Sequence, residues 1–235
     1  MSNSATIFPG LEITSADTVI DIGCGLGRVC EAAGSTGAAV IGIDVKPDTI
    51  RHVEERMKGS PARYFRGLVS YCDPIPVPSS SCTVVVAQEV VEHVDNPPAF
   101  LREMHRVGTP NARYLISVPD SASERIMGLV SPPSYFEKPN HIHVFERAAF
   151  RTMLEEAGFV VERTVLGGFF WSMWWFFSQS ASLPNSPVGK EELIAAWEKT
   201  WSLFCKTPKN AEVQSALNEL IPKSQIYLCR KVASA

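Results

Sequence analysis

The chain has 235 residues, 45% of them hydrophobic and 20% charged, with a formal net charge of −3. That length suits one α/β domain with elaboration, and the apolar and charged fractions are those of a globular chain, not a disordered or fibrous one. The slight acidic excess gives no electrostatic footprint for nucleic acid, and the longest nearly apolar run, Val165 to Phe177, is shorter than the roughly 20 residues that span a bilayer.

Met1 to Asp17 reads as short and polar, with Pro9-Gly10 as a turn signal. Val19, Ile20 and Ile22 form the β-branched run of a buried strand. Gly23, Gly25 and Gly27 then make a glycine-rich turn, where φ > 0 is cheap and a ligand can lie against the backbone. A short helix is predicted over Arg28 to Ser35 and a second strand over Ala38 to Ile43, ending at Asp44, 21 residues after Gly23. In this arrangement a nucleoside lies across the strand ends and a carboxylate accepts from its ribose hydroxyls. The dinucleotide fingerprint would need its third glycine at position 28, which is Arg28; the chain instead spells D-x-G-x-G-x-G from Asp21 to Gly27.

Lys46-Pro47-Asp48 opens a helix to about Lys58, with proline near the first turn, where its missing N–H costs little. A third strand is predicted over Ala62 to Arg66 and a fourth, strongly β-branched, over Cys82 to Ala87. Asn96-Pro97-Pro98 starts a helix to about Arg106, Gly108 to Asn111 reads as a turn, and Tyr114 to Val118 as a fifth strand closed by Pro119-Asp120. Beyond Gly167 come the aromatic run FFWSMWWFF and two amphipathic helices, marked by Leu193, Ile194, Trp197, Trp201, Phe204 and by Val213, Ala216, Leu217, Leu220, Ile221. The six cysteines form no C-x-x-C pair and no metal-ligand spacing. With no signal-peptide pattern in Met1 to Leu11, they read as reduced thiols of a cytoplasmic protein.

Four stretches carry a resemblance: IPVPSSS at 75–81, QEVVEHVDNP at 88–97, TPNARYLISVP at 109–119 and HIHVFERAAFRTMLEEAGF at 141–159. With the glycine turn, their order resembles the class I S-adenosylmethionine-dependent methyltransferases of small-molecule type, from about Thr18 to Val165. The resemblance implies a doubly wound, mostly parallel seven-stranded sheet of Rossmann-like methyltransferase fold. Phe159 to Leu166 would be strand six and Gln225 to Lys231 an antiparallel strand seven, in a single domain over 1–235. Many members cover their site with N-terminal helices, for which this chain has no room, so 120–145 and a helical insertion at 167–223 are expected to form the lid. Pro132-Pro133, Pro139 and a Gly128 hinge mark the first as mobile.

The cofactor implied is S-adenosyl-L-methionine. Asp21 would orient its methionine end, Gly23, Gly25 and Gly27 would admit it, Asp44 would accept from its ribose, and Gln88 and Glu89 would meet the methionine amine. The family's adenine-binding Asp falls on Tyr71, so either Tyr71 stacks or bonds there or a local shift brings in Asp73. A second family Asp is replaced by Thr83. His93, His141 and His143 are the candidate bases, since a neutral imidazole can take a proton from a hydroxyl or amine. For each, a structural role weighs as much. Two histidines and nearby acids could hold a metal, but their spacing is not diagnostic and no metal ligand is assigned. The aromatic run reads as core of the insertion, wall of an apolar acceptor pocket, or a membrane-surface contact lacking basic flanks.

Together these readings give methyl transfer to an oxygen or nitrogen of a small, partly apolar acceptor, with no nucleic-acid partner. The rivals are a non-catalytic protein of the same fold and a dinucleotide-dependent oxidoreductase.

Overall fold

The computed structural model describes residues 4–184 and 186–232, so residues 1–3, 185 and 233–235 of the expected domain, and the start of Met1 to Leu11, lie outside the described residues. The centre is a seven-stranded sheet in the order β5-β4-β3-β6-β7-β9-β8. Its strands are β3 (Thr18–Ile22), β4 (Ala39–Asp44), β5 (Tyr64–Val69), β6 (Cys82–Gln88), β7 (Gly108–Pro119), β8 (Phe159–Gly167) and β9 (Ser224–Lys231). All neighbours pair in parallel except β9, which runs antiparallel to both β7 and β8. Strand order reverses at β3, with β4 on one side and β6 on the other. Crevices for ligands open at the carboxyl edge of such a reversal.

Both faces are covered, which is why these strands read as continuous apolar runs and not as alternation. On one face α1 (Arg28–Ser35) and α2 (Pro47–Met57) bury Cys30, Ala33, Ile50, Val53 and Met57 against Val19, Val40, Val84 and Val86. On the other, α3 (Pro97–Val107) and α5 (Arg147–Glu156) bury Phe100, Leu101, Met104, Phe150 and Leu154 against Ile20, Val85 and Ile116. Asn96 caps α3 by accepting from the Ala99 amide at 3.1 Å, and Pro97 occupies its first turn.

Several expectations are corrected. Residues 4–14 form a hairpin, β1 (Ser4–Phe8) and β2 (Leu11–Thr14), turning at Gly10 with φ 98 and burying Leu11 and Ile13. The third strand of the sequence reading begins at Tyr64, not Ala62, and runs on to Val69. Gly108 to Asn111 is the bulged entry to β7, because Gly108 pairs with Cys82 and the register then shifts while Asn111 takes φ 65. Segment 120–145 contains the helix α4 (Ser121–Val130), capped by Asp120, and a short 3-10 turn, Pro133–Phe136. The insertion holds three helices, not two: the aromatic run is itself α6 (Phe169–Ala181), followed by α7 (Lys190–Phe204) and α8 (Asn210–Leu220). Thr83 has a structural explanation at the opposite edge of the sheet, where its hydroxyl donates to Asp17 Oδ1 at 2.8 Å and accepts from the Thr18 amide at 3.0 Å. Among the described residues no helix is long and apolar enough to cross a membrane.

Candidate functional site

The glycine turn joins β3 to α1 with three left-handed residues: Gly23 at φ 70, Gly25 at 48 and Gly27 at 78. A Cβ on Gly23 would lie 2.5 Å from Val90 Cγ2, and one on Gly27 would lie 2.9 Å from Val53 Cγ1. Those two glycines are required by packing. At Gly25 the nearest atom to such a Cβ is the Gly23 carbonyl at 3.9 Å, so the space beside it is open. Its neighbours Cys24 and Leu26, with Asp21, Gly23, Arg28, Val29 and Gln88, line a cavity of about 240 Å³.

Asp21 sits in that wall, 4% exposed, and among the described residues only the Cys30 thiol donates to it, at 3.5 Å. Burial raises its pKa to about 7, the Cys30 contact offsets part of the rise, and the nearby Asp44 charge adds to it. A carboxylate held this way favours a cationic neighbour. Asp44, at the end of β4, accepts from the Gly25 amide at 3.2 Å and the Lys46 amide at 2.9 Å. Each carboxylate oxygen keeps a further lone pair that can accept from a hydroxyl. Ser70 donates to the Asp44 carbonyl at 3.1 Å, which brings 70–73 to this edge. Tyr71 is 83% exposed there and lines neither cavity described here. Asp73 is exposed as well.

A second cavity of about 460 Å³ lies between α4, the 132–141 segment, α6 and Lys223. Gln88 lines the first cavity and Glu89, the next residue, lines the second. Glu89 takes φ 55 just past β6; its Oε1 accepts from Ser117 Oγ at 2.9 Å and its Oε2 from Lys223 Nζ at 3.0 Å. Burial opposes the Lys223 charge, but Glu89, Glu124 and Glu92 more than offset it and hold the ammonium pKa above the ordinary lysine value.

His93 and His141 lie edge to face with ring centroids 5.1 Å apart, but the three histidines take different hydrogen-bond partners. His141 lines the second cavity, and its Nδ1 lies 2.9 Å from Glu124 Oε2. Glu124 is 2% exposed and also accepts from Tyr135 Oη at 3.0 Å. The carboxylate beside Nδ1 selects the tautomer with hydrogen on Nδ1, leaving Nε2 as an acceptor. His143 Nε2 instead donates to the Val94 carbonyl at 3.0 Å, and His93 Nδ1 is within 2.9 Å of the Asn140 carbonyl and 3.2 Å of that of Pro139. Both therefore spend a ring nitrogen on fixing chain.

Glu92 is fully buried, and among the described residues neither carboxylate oxygen has a hydrogen-bond partner, although Oε1 lies 3.7 Å from His93 Nε2. Burial, with the Glu89 charge beside it, pushes its pKa well above the usual carboxylate range. Its carbonyl accepts from the Ile142 and His143 amides at 3.0 and 3.3 Å and anchors the segment that carries His141. Glu92, His93 and His141 each offer a possible metal-ligand atom, all within 4.8 Å of one another, a grouping the sequence spacing did not disclose.

Sequence reasoning missed Glu124, Tyr135, Ser172 and Lys223. None has a local signal: Lys223 meets Glu89 across 134 residues and Glu124 meets His141 across 17. The aromatic run divides its roles, with Trp175 and Phe176 in the cavity wall and Phe169, Phe170 and Phe177 against α7.

A family profile described as a methyltransferase domain matches residues 6–164. A protein of Mycolicibacterium smegmatis named "Probable S-adenosylmethionine-dependent methyltransferase" is 31% identical over 149 residues, 63% of this chain and 53% of its own. The mitochondrial ubiquinone biosynthesis O-methyltransferase of Mus musculus is 27% identical over 202 residues, 78% of this chain and 52% of its own. The chain thus spans about half the length of these curated relatives. A solved structure of an S-adenosylmethionine-dependent methyltransferase from Mesorhizobium loti superimposes with a TM-score of 0.60 at 14% identity, over 92% of this chain and 91% of its own, a likeness of fold.

Proposed function

Because the chain belongs to the class I S-adenosylmethionine-dependent methyltransferases, we propose that it transfers the methyl group of S-adenosyl-L-methionine to an oxygen or nitrogen of a small molecule held in the larger cavity. The observation that carries this reading is the adjacency of Gln88 and Glu89, one in the wall of each cavity, so that two ligands can meet at the end of β6. Relatives named as O-methyltransferases support oxygen as the atom modified. The family assignment leaves the oxidoreductase rival without support.

The residues present fit the cofactor. Gly25 leaves backbone open to it, Asp44 offers acceptors for hydroxyls, and the under-solvated Asp21 carboxylate suits a cationic group. Bound there, S-adenosylmethionine supplies an already activated methyl. The protein then has to align an acceptor, exclude water and remove one proton. His141 takes that proton on Nε2, with Glu124 holding the imidazole through Nδ1 and stabilising the imidazolium. Segments 120–145 and 167–223 act as the lid over the acceptor. Tyr71 or Asp73 reads the adenine, Gln88 and the Glu89 backbone the methionine end, and His93 and His143 position the loop.

Calorimetry with S-adenosylmethionine and with NADH, followed by transfer of labelled methyl to a panel of alcohols, phenols and amines, tests the reading. Binding of the first ligand alone, with transfer lost in His141→Asn and cofactor affinity kept, is the expected result. Tight cofactor binding with no transfer to any acceptor would favour the non-catalytic rival. EDTA is expected to leave turnover unchanged; loss restored by a divalent cation would shift the role from His141 alone to the Glu92, His93, His141 group.

A further inference from the structure

The larger cavity carries more information than its position. At its polar end Lys223 donates to Glu89 at 3.0 Å, so the one ammonium in the wall is committed to the one carboxylate there. Glu124 behind them is satisfied by Tyr135 and His141. Among the described residues the polar end therefore has no spare cation for an acceptor's carboxylate or phosphate, and an anion would meet Glu89 and Glu124. Along one wall α6 presents Ser172, Trp175, Phe176 and Gln179, spaced i, i+3, i+4 and i+7, hence on one helical face about 10 Å long. Ser172 is fully buried, and its Oγ has no hydrogen-bond partner among the described residues. A buried hydroxyl left unpaired costs free energy unless a ligand or water pairs with it.

We propose that this cavity is a charge filter that admits an uncharged acceptor with a flat apolar body: Lys223 cancels Glu89, the Trp175 and Phe176 rings take the body, and Ser172 pairs with a polar substituent. This rests on the cavity being the acceptor site, as read above. Lys223 is then a specificity residue. Without it Glu89 faces the cavity unneutralised, and preference moves to cations.

Three probes with one naphthalene ring and different charge test this: 2-naphthalenemethanol, 2-naphthoate and 2-naphthylmethylammonium. Each is titrated by calorimetry into the full chain saturated with S-adenosylhomocysteine, whose own affinity is measured in the same series. The alcohol is expected to bind at least tenfold tighter than naphthoate. Lys223→Met should improve the ammonium probe at least tenfold relative to the alcohol, Lys223→Arg should keep the wild-type order, and Ser172→Ala should weaken the alcohol severalfold. If Lys223→Met does not fold, Lys223→Gln takes its place in the same comparison, and an unchanged order there counts equally against the filter. Naphthoate binding as tightly as the alcohol, no binding of any probe, or an unchanged order in folded Lys223→Met overturns the charge filter. Failure of S-adenosylhomocysteine to bind would instead strike the functional reading on which it rests.

Discussion

Asp21 stores an electrostatic cost that either a proton or a cationic ligand relieves. Its rise from 3.8 to about 7 corresponds to roughly 4 kcal/mol between a solvated carboxylate and this buried one. Between those values the native chain keeps a proton the unfolded chain has released, so stability falls as pH rises through about 7. Thermal melts of the ligand-free protein from pH 5 to 8 should show this fall, and Asp21→Asn should flatten it. Glu92 titrates in the same direction, so the difference between wild type and Asp21→Asn isolates the Asp21 share. Saturating S-adenosylmethionine, with its cationic groups beside Asp21, should shrink the wild-type dependence, while Asp21→Asn binds it more weakly. A melt difference independent of pH would remove Asp21 from this role. Asp44 acts by hydrogen bonding: each bond it accepts as a carboxylate contributes roughly 1.5–3 kcal/mol, so Asp44→Ala should weaken S-adenosylmethionine binding at least tenfold by calorimetry. Unchanged affinity would put the ribose elsewhere.

At the scale of elements, what the sequence disclosed was local and what it concealed was not. The turn from Asp21 to Gly27, the β-branched strands and the Asn96 cap each follow from neighbours a few residues apart, and the structure has them within a residue or two. The β1–β2 hairpin escaped because only Leu11 and Ile13 of its short strands are fully buried, too few to show a period. The strand start at Gly108 escaped because Thr109-Pro110-Asn111 has turn chemistry while pairing with Cys82 extends the ladder. The cavity was hidden for the same reason: Glu89, Glu124, His141 and Lys223 come from four separate elements. The segment around Asn140 shows the difference a partner makes. Its prolines read as mobility, yet His93 Nδ1 lies against the Pro139 and Asn140 carbonyls and Asn140 Nδ2 donates to the Ser134 carbonyl at 2.9 Å. His93→Ala should therefore speed proteolytic cutting within 131–145, mapped by mass spectrometry, with cofactor affinity unchanged. Unaltered cutting with lost cofactor affinity would move His93 into the cofactor site.

Across the whole molecule, the two cavities belong to two differently built halves. The cofactor half is the parallel sheet from β3 to β6 with α1 and α2, held by fully buried aliphatic side chains. The acceptor half adds α4, α6, α7 and α8, and neither α7 nor α8 has a fully buried residue. What holds α7 is aromatic: Trp197 stacks on Phe170 at 5.8 Å between centroids and 16° between planes, and its Nε1 donates to the Phe170 carbonyl at 3.1 Å. Trp174 Nε1 adds a bond to Glu198 at 3.1 Å. Free energy in such a cluster stabilises α6, and with it the cavity wall, with little reach into the glycine turn. Trp197→Ala should cost about 2 kcal/mol, below the 3–5 kcal/mol of a fully buried large aromatic because this ring is only half-buried. Hydrogen exchange should rise in α6 and α7 and stay unchanged in β3, β4 and β6. S-adenosylmethionine affinity should hold within about twofold, and the penalties of Trp197→Ala and Asp44→Ala on that affinity should add within about 0.5 kcal/mol, as for sites sharing no partner. A tenfold loss of cofactor affinity in Trp197→Ala alone would show that closing the acceptor half and binding the cofactor are one event, with Gln88 and Glu89 at the end of β6 as the link between them.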